Sequence, residues 1–126
     1  MRHHVLIVDD NPTNLKLASC VLESAGFKID TAPDAEQAQL LLQRSVPELI
    51  LMDVELPGMG GLALTRILKA SNEFKDVCVV ALTAFAMKGD AAKALEAGCD
   101  GHISKPIDTR RLPEQVLAFL RHAGRD

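Results

Sequence analysis

Five polar residues with the means to handle a charged ligand follow short runs that read as strands in this 126-residue chain. Asp9 and Asp10 follow Val5-Leu6-Ile7-Val8, and Asp53 follows Leu49-Ile50-Leu51-Met52. Thr83 ends the run that begins at Val77, and Lys105 comes directly after Gly101–Ser104. Singly, each has an ordinary structural reading. Asp10 can help cap a helix, Asp53 can terminate a strand, Thr83 can cap a helix, and Lys105 can be a solvated loop cation. Together they read differently. Three carboxylates at one edge repel one another and raise one another's pKa, so their meeting costs stability unless a cation sits among them. Oxygen ligands without His or Cys select a hard ion such as Mg²⁺, which commonly bridges carboxylates to a phosphate. A fixed ammonium and a hydroxyl then complete a cradle for the other oxygens of a phosphoryl group.

The elements that must bring these residues together are legible from hydrophobic periodicity. The runs at Val5–Val8, Leu49–Met52 and Val77–Leu82 are continuously apolar, as expected of parallel strands covered on both faces. Weaker strands are expected at Lys28–Thr31 and Gly101–Ser104. Between them lie residues at helical spacing: Leu15, Ala18, Leu22 and Ala25; Ala35, Ala38, Leu41 and Leu42; Leu64, Ile67 and Leu68; Ala91, Ala94 and Leu95; Val116, Phe119 and Leu120. Asn11-Pro12 and Pro33-Asp34 mark helix starts, and Gly26 and Gly98 mark helix ends. Pro113 cannot sit deep in a helix, so an irregular turn is expected at Asp108–Arg111 and the last regular helix near Leu112. Five strands alternating with five helices imply right-handed crossovers and an open, doubly wound parallel α/β sheet. In such a sheet ligands gather beyond the carboxyl ends of the strands, where all five polar residues stand.

Composition narrows the function classes. With 48% apolar and 25% charged residues the chain is an ordinary globular sequence, long enough to bury about two thirds of its surface. We expect a single domain over residues 1–126 with its core at about 4–122. No apolar run approaches a membrane span of about 18 residues, and Asp9 and Asp10 interrupt any signal-peptide core, so no membrane insertion and a cytoplasmic location are expected. Fourteen basic against 17 acidic residues, a net charge of −3, give no footprint for direct nucleic-acid binding. Cys20, Cys78 and Cys99 form no CxxC pair and read as small buried hydrophobes, while His3, His4 and His122 read as solvated surface residues.

Five separated motifs in this order resemble the receiver (CheY-like) domains of bacterial two-component response regulators. They are Val8-Asp9-Asp10-Asn11, Leu51-Met52-Asp53-Val54 with Leu56-Pro57-Gly58-Met59-Gly60-Gly61, Ala81-Leu82-Thr83-Ala84, Gly98-Cys99-Asp100-Gly101 and Lys105-Pro106. The stretch Thr83–Asp90 looks like that of DivK-type single-domain regulators, and similar stretches occur in receivers of hybrid histidine kinases. The resemblance implies a flavodoxin-like (βα)5 fold with strand order 2-1-3-4-5. It implies Asp53 as phosphoacceptor, Asp9 and Asp10 as Mg²⁺ ligands with the backbone carbonyl of Glu55, and Thr83 and Lys105 on the acyl phosphate. It also implies a cis peptide at Lys105-Pro106. The sequence departs from the family at His102, where Tyr or Phe usually serves as the switch; the imidazole is either a proton-sensitive switch or a plain strand-end residue.

The function implied is Mg²⁺-dependent acceptance of a phosphoryl group from a histidine kinase or histidine phosphotransfer protein, with output through a downstream target protein. It is a signalling domain with slow self-phosphorylation and self-dephosphorylation, not a turnover enzyme. The alternative is a receiver belonging to a hybrid histidine kinase or larger regulator. A haloacid-dehalogenase-type phosphatase would carry an Asp-x-Asp pair after its first strand, whereas Asp53-Val54-Glu55 follows the third. A flavodoxin would need aromatics to stack on its flavin and a phosphate loop where Asp9-Asp10 stands, and the chain has no Trp or Tyr. A degenerate docking module is disfavoured by the complete set of Asp, Asp, Asp, Thr and Lys.

Overall fold

The computed structural model describes residues 3–56, 58–83 and 88–124. Pro57 and the segment 84–87 of the motifs above lie outside the described residues. In chain order the elements are β1 (His4–Val8), α1 (Pro12–Ser24), β2 (Lys28–Ala32), α2 (Ala35–Arg44), β3 (Leu49–Asp53), α3 (Gly61–Ala70), β4 (Cys78–Thr83), α4 (Lys88–Ala97), β5 (Gly101–Ser104) and α5 (Leu112–His122). Every strand pairing is parallel, and the order is β2-β1-β3-β4-β5, as the resemblance implied. β4 begins one residue later than its apolar run and takes in Thr83.

The continuous runs are apolar on both faces because helices cover both sides of the sheet. Ile50 and Met52 pack with Leu42, Leu64 and Leu68 on the side of α2, α3 and α4. Leu49 and Leu51 pack with Leu22, Leu112, Val116 and Leu120 on the side of α1 and α5. All residues of β3 and β4 are buried, whereas β2 and β5 at the two edges keep exposed positions. That asymmetry explains why the edge strands gave the weaker sequence signal.

Local chemistry sets the helix ends. The Asn11 side chain accepts from the N–H groups of Thr13 and Asn14, with Pro12 in the first helical turn. Asp34 caps α2 through the Gln37 N–H at 2.8 Å. Gly26 and Gly98 hold φ of +98° and +103°, the left-handed geometry that follows a helix end. Asp108 Oδ1 accepts from the Arg110 N–H, forming the irregular turn before Leu112.

Several expectations need correction. Cys20 is exposed on α1; only Cys78 and Cys99 are buried. His3 and His4 are not free in solvent: His3 Nδ1 lies 2.8 Å from Glu48 Oε2, and His4 Nε2 lies 2.6 Å from Asp30 Oδ2. Their backbone positions at the start of β1 carry both rings against the neighbouring β2 and the entry to β3. Ile67 and Leu95 match helical spacing yet are 47% and 66% exposed. The inward stripe of α4 runs through Ala94 and Ala97 instead, one helical step of about 100° from Leu95. His122 is exposed, as expected.

Candidate functional site at the carboxyl edge of the sheet

β1 and β3 are neighbours, with Val8 opposite Met52, so the residues that follow them emerge side by side. Ligand oxygens of Asp9, Asp10 and Asp53 lie within 4.8 Å of one another. Asp9 and Asp53 are buried and Asp10 is exposed, which gives the cluster one open side. β4 and β5 deliver the cradle's other half. The Lys105 N–H bonds the Thr83 carbonyl at 2.7 Å, placing the two residues next to each other. Lys105 Nζ stands 3.0 Å from Asp53 Oδ2 and 3.5 Å from Asp9 Oδ2. Thr83 is buried at the end of β4, and the Lys105-Pro106 peptide is cis.

Backbone donors orient the two buried carboxylates. Asp9 Oδ1 accepts from the Asn11 N–H at 2.9 Å, and Asp53 Oδ1 accepts from the Glu55 N–H at 3.0 Å. Both bonds span two residues, so each strand end folds its own aspartate into an Asx turn. Asp10 is not the cap of α1; that place belongs to Asn11. Glu55 itself is exposed beside the cluster.

Electrostatics at the edge are unbalanced. Burial pushes the Asp9 carboxyl above the ordinary carboxylate range; the Asn11 N–H and the Lys105 ammonium offset part of this, and the Asp53 charge adds to it. Burial alone would lower Lys105, but its hydrogen bond and attraction to Asp53, with Asp9 adding, outweigh that and hold it above its usual value. Among the described residues one ammonium, that of Lys105, pairs with Asp53 and Asp9, and Asp10 adds a third carboxylate beside them. Asp9 Oδ2 is buried and, beyond its 3.5 Å ion pair with Lys105, takes no hydrogen bond from the described residues. An orphaned carboxylate oxygen in an all-oxygen donor set, open to solvent at Asp10, fits a hard divalent cation held by Asp9, Asp10 and Asp53.

His102 is exposed on β5 and lies in register with Ala81, two residues before Thr83. Residues in register share a face of the sheet, so His102 and Thr83 stand on the same face. The outer side of His102 opens on a polar cleft with Ser104, Arg111 and Gln115.

Two features went unread in the sequence, one at this edge and one at the opposite, amino edge of the sheet. A Cβ on Gly61 would overlap the Asp53 carbonyl oxygen, so α3 begins in direct contact with the end of β3. The Gly60-Gly61 doublet before an apolar helix was the available signal. Lys69 at the end of α3 donates to Asp100 Oδ2 at 2.8 Å and to the Val77 carbonyl at 2.7 Å, while Asp100 Oδ2 also takes the Val79 N–H. That clamp ties α3 to the start of β4 and the turn before β5, across 31 residues that no local pattern joins.

The chain matches the response regulator receiver domain family over residues 5–117. It belongs to that family. The receiver is 39% identical over 123 residues to the polar-differentiation response regulator DivK of Brucella anthropi, an alignment covering 98% of this chain and all of the relative. It is 31% identical to the solved receiver domain of a signal transduction histidine kinase from Syntrophus aciditrophicus, with a TM-score of 0.87 over 98% of this chain and 94% of that one. Chemotaxis response regulator CheY4 of Vibrio cholerae shares the fold at a TM-score of 0.90 and 24% identity, over 95% of this chain and 100% of that one. The receiver is a signalling domain of two-component systems. None of its described helices is long and apolar enough to cross a membrane.

Proposed function

We propose that Asp53 is the phosphoacceptor of this receiver, taking a phosphoryl group from the phosphohistidine of a histidine kinase or histidine phosphotransfer protein. One observation carries the reading: a buried carboxylate ends an all-buried strand with an ammonium 3.0 Å away and two more carboxylates within 4.8 Å. A carboxylate oxygen of Asp53 attacks phosphorus, an O–P bond forms, the P–N bond of the phosphohistidine breaks, and the departing imidazole takes up a proton. Asp9, Asp10, Asp53 and the Glu55 backbone carbonyl would hold Mg²⁺, which when bound would supply positive charge against the phosphoryl oxygens. Lys105 is already aimed at Asp53 and donates to one phosphoryl oxygen; the Thr83 hydroxyl donates to another. The chain contributes position and charge in place of difficult covalent chemistry, so it modifies itself slowly and hydrolyses its own acyl phosphate slowly.

Output follows from a bias between two states. Thr83 moves toward the phosphoryl group, His102 on the same face moves into the space released, and the surface of α4, β5 and α5 changes its affinity for a downstream target protein. The whole of residues 1–126 acts as one receiver domain in the cytoplasm. The 31% identity to the receiver of a histidine kinase favours a second setting, the same chemistry within a hybrid kinase. Incubation with acetyl phosphate and Mg²⁺ should add one phosphoryl group by mass, and Asp53→Asn should abolish it while the chain stays folded. Undiminished labelling of the Asn variant refutes the assignment.

A further inference from the structure

Gly61 is the first residue of α3, and its α-carbon faces the end of β3 so closely that a Cβ there would overlap the Asp53 carbonyl oxygen. The same Cβ would stand 2.9 Å from the Asp53 carbonyl carbon and 3.0 Å from Met52 Cγ. Gly61 is not among the glycines with positive φ, so this position demands space and not backbone freedom. Gly60 beside it makes the contrast: a Cβ there would meet only the Val54 carbonyl at 3.9 Å, an ordinary contact.

We propose that Gly61 is a positioning residue for Asp53: the missing side chain lets the first turn of α3 seat against the Asp53 peptide and so aims the carboxylate at Lys105. The inference rests on Asp53 being the phosphoacceptor. Neither partner in the contact can yield easily. β3 is hydrogen-bonded between β1 and β4, and the Val54 N–H bonds the Leu82 carbonyl at 3.2 Å just past its end. α3 is held by buried Leu64 and Leu68, and the buried Thr65 hydroxyl donates to the Gly61 carbonyl at 2.8 Å. An added methyl group must therefore turn the Asp53 peptide or lift the helix. Turning the peptide swings the Cα–Cβ bond of Asp53. Both carboxylate oxygens then leave their present partners, the Glu55 N–H and Lys105 Nζ, each 3.0 Å away.

The test compares parent, Gly61→Ala and Gly60→Ala by the rate constants of acyl-phosphate formation from acetyl phosphate with Mg²⁺ and of its later hydrolysis, each per folded molecule. A misplacement of about 1 Å costs about 100-fold in rate. Gly61→Ala should therefore form the acyl phosphate about 100-fold more slowly than Gly60→Ala, with altered hydrolysis, while still reaching one phosphoryl group per chain. A purely space-filling role lowers the melting temperature but leaves both rate constants equal to those of Gly60→Ala, which overturns the inference. Asp53→Asn run in parallel separates the two claims: if it labels like the parent, the phosphoacceptor reading falls and this one with it. Should Gly61→Ala not fold, Thr65→Val decides, because it removes the hydroxyl's bond to the Gly61 carbonyl at nearly constant volume and so loosens the seat of the first turn. A several-fold slower reaction supports the inference and a parental rate overturns it.

Discussion

Asp9 is fully buried, one of its carboxylate oxygens takes no hydrogen bond from the described residues, and its charged form is the costly one. Its pKa is raised in the folded chain, so between the ordinary carboxylate range and that raised value the folded state binds more protons than the unfolded state. Stability from this group accordingly falls as pH rises through that window. Asp9→Asn should remove the loss: without divalent cation at pH 7 it should be more stable than the parent by about 1 kcal/mol, several degrees in Tm. The advantage should vanish at acid pH. Added Mg²⁺ should reverse the order, since ten times its Kd gives the parent about 1.4 kcal/mol and the variant less. Thermal melts of both proteins across pH 4–8, with and without Mg²⁺, check each arm; coincident parental curves at high Mg²⁺ contradict a metal at this cluster. Lys105 works with the same slope in an alkaline window. Its raised pKa contributes stability at every pH below the ordinary lysine range, lost only as strongly alkaline pH removes the proton.

Among the elements, α1 and α5 depend on contacts of different kinds. α1 starts on the Asn11 side chain, which accepts two of its orphan N–H groups. Asn11→Ala should lower stability by about 1 kcal/mol in urea titration, with phosphorylation retained because the Asn11 backbone N–H still serves Asp9. α5 depends on fit. A Cβ on Gly101 at the start of β5 would overlap the Phe119 ring and stand 2.9 Å from its Cζ. Gly101→Ala must push Phe119 and α5 outward, at a cost of about 1–3 kcal/mol, and Phe119→Leu in the same chain should recover part of it. A Gly101→Ala melting curve equal to the parent's would show that α5 gives way freely.

For the molecule as a whole, β3 is the shared wall of both cores, with alternate residues facing opposite helix layers. Leu51→Ala, fully buried toward α1 and α5, should cost about 2–5 kcal/mol. The loss should leave a single cooperative transition, because the same strand also carries Ile50 and Met52 into the opposite core. Separate melting of the two helix layers by circular dichroism and hydrogen exchange would contradict that coupling. Asp53 ends this same strand, so the proposed phosphoacceptor is anchored to a fully buried strand paired on both sides, while Asp10 and Glu55 beside it stay exposed.

The order of the strands in the sheet was implied only by the family resemblance; the alternation of strands and helices, the helix caps and the positions of Asp9, Asp10, Asp53, Thr83 and Lys105 at strand ends were legible in the sequence itself. They follow from local rules: apolar runs make buried strands, Asn and Asp cap helices, and parallel crossovers bring all strand ends to one edge. Tertiary structure alone decided the rest. Whether Leu95 or Ala94 faces the sheet, and whether Cys20 is covered, depends on how each helix is rolled against its neighbours, which periodicity leaves open by a residue. The His4–Asp30 pair, the Lys69–Asp100 clamp and the overlap that Gly61 avoids join residues distant in the chain. Such contacts are set by the distance between packed backbones, and that distance is fixed only when the whole sheet and both helix layers have closed on it.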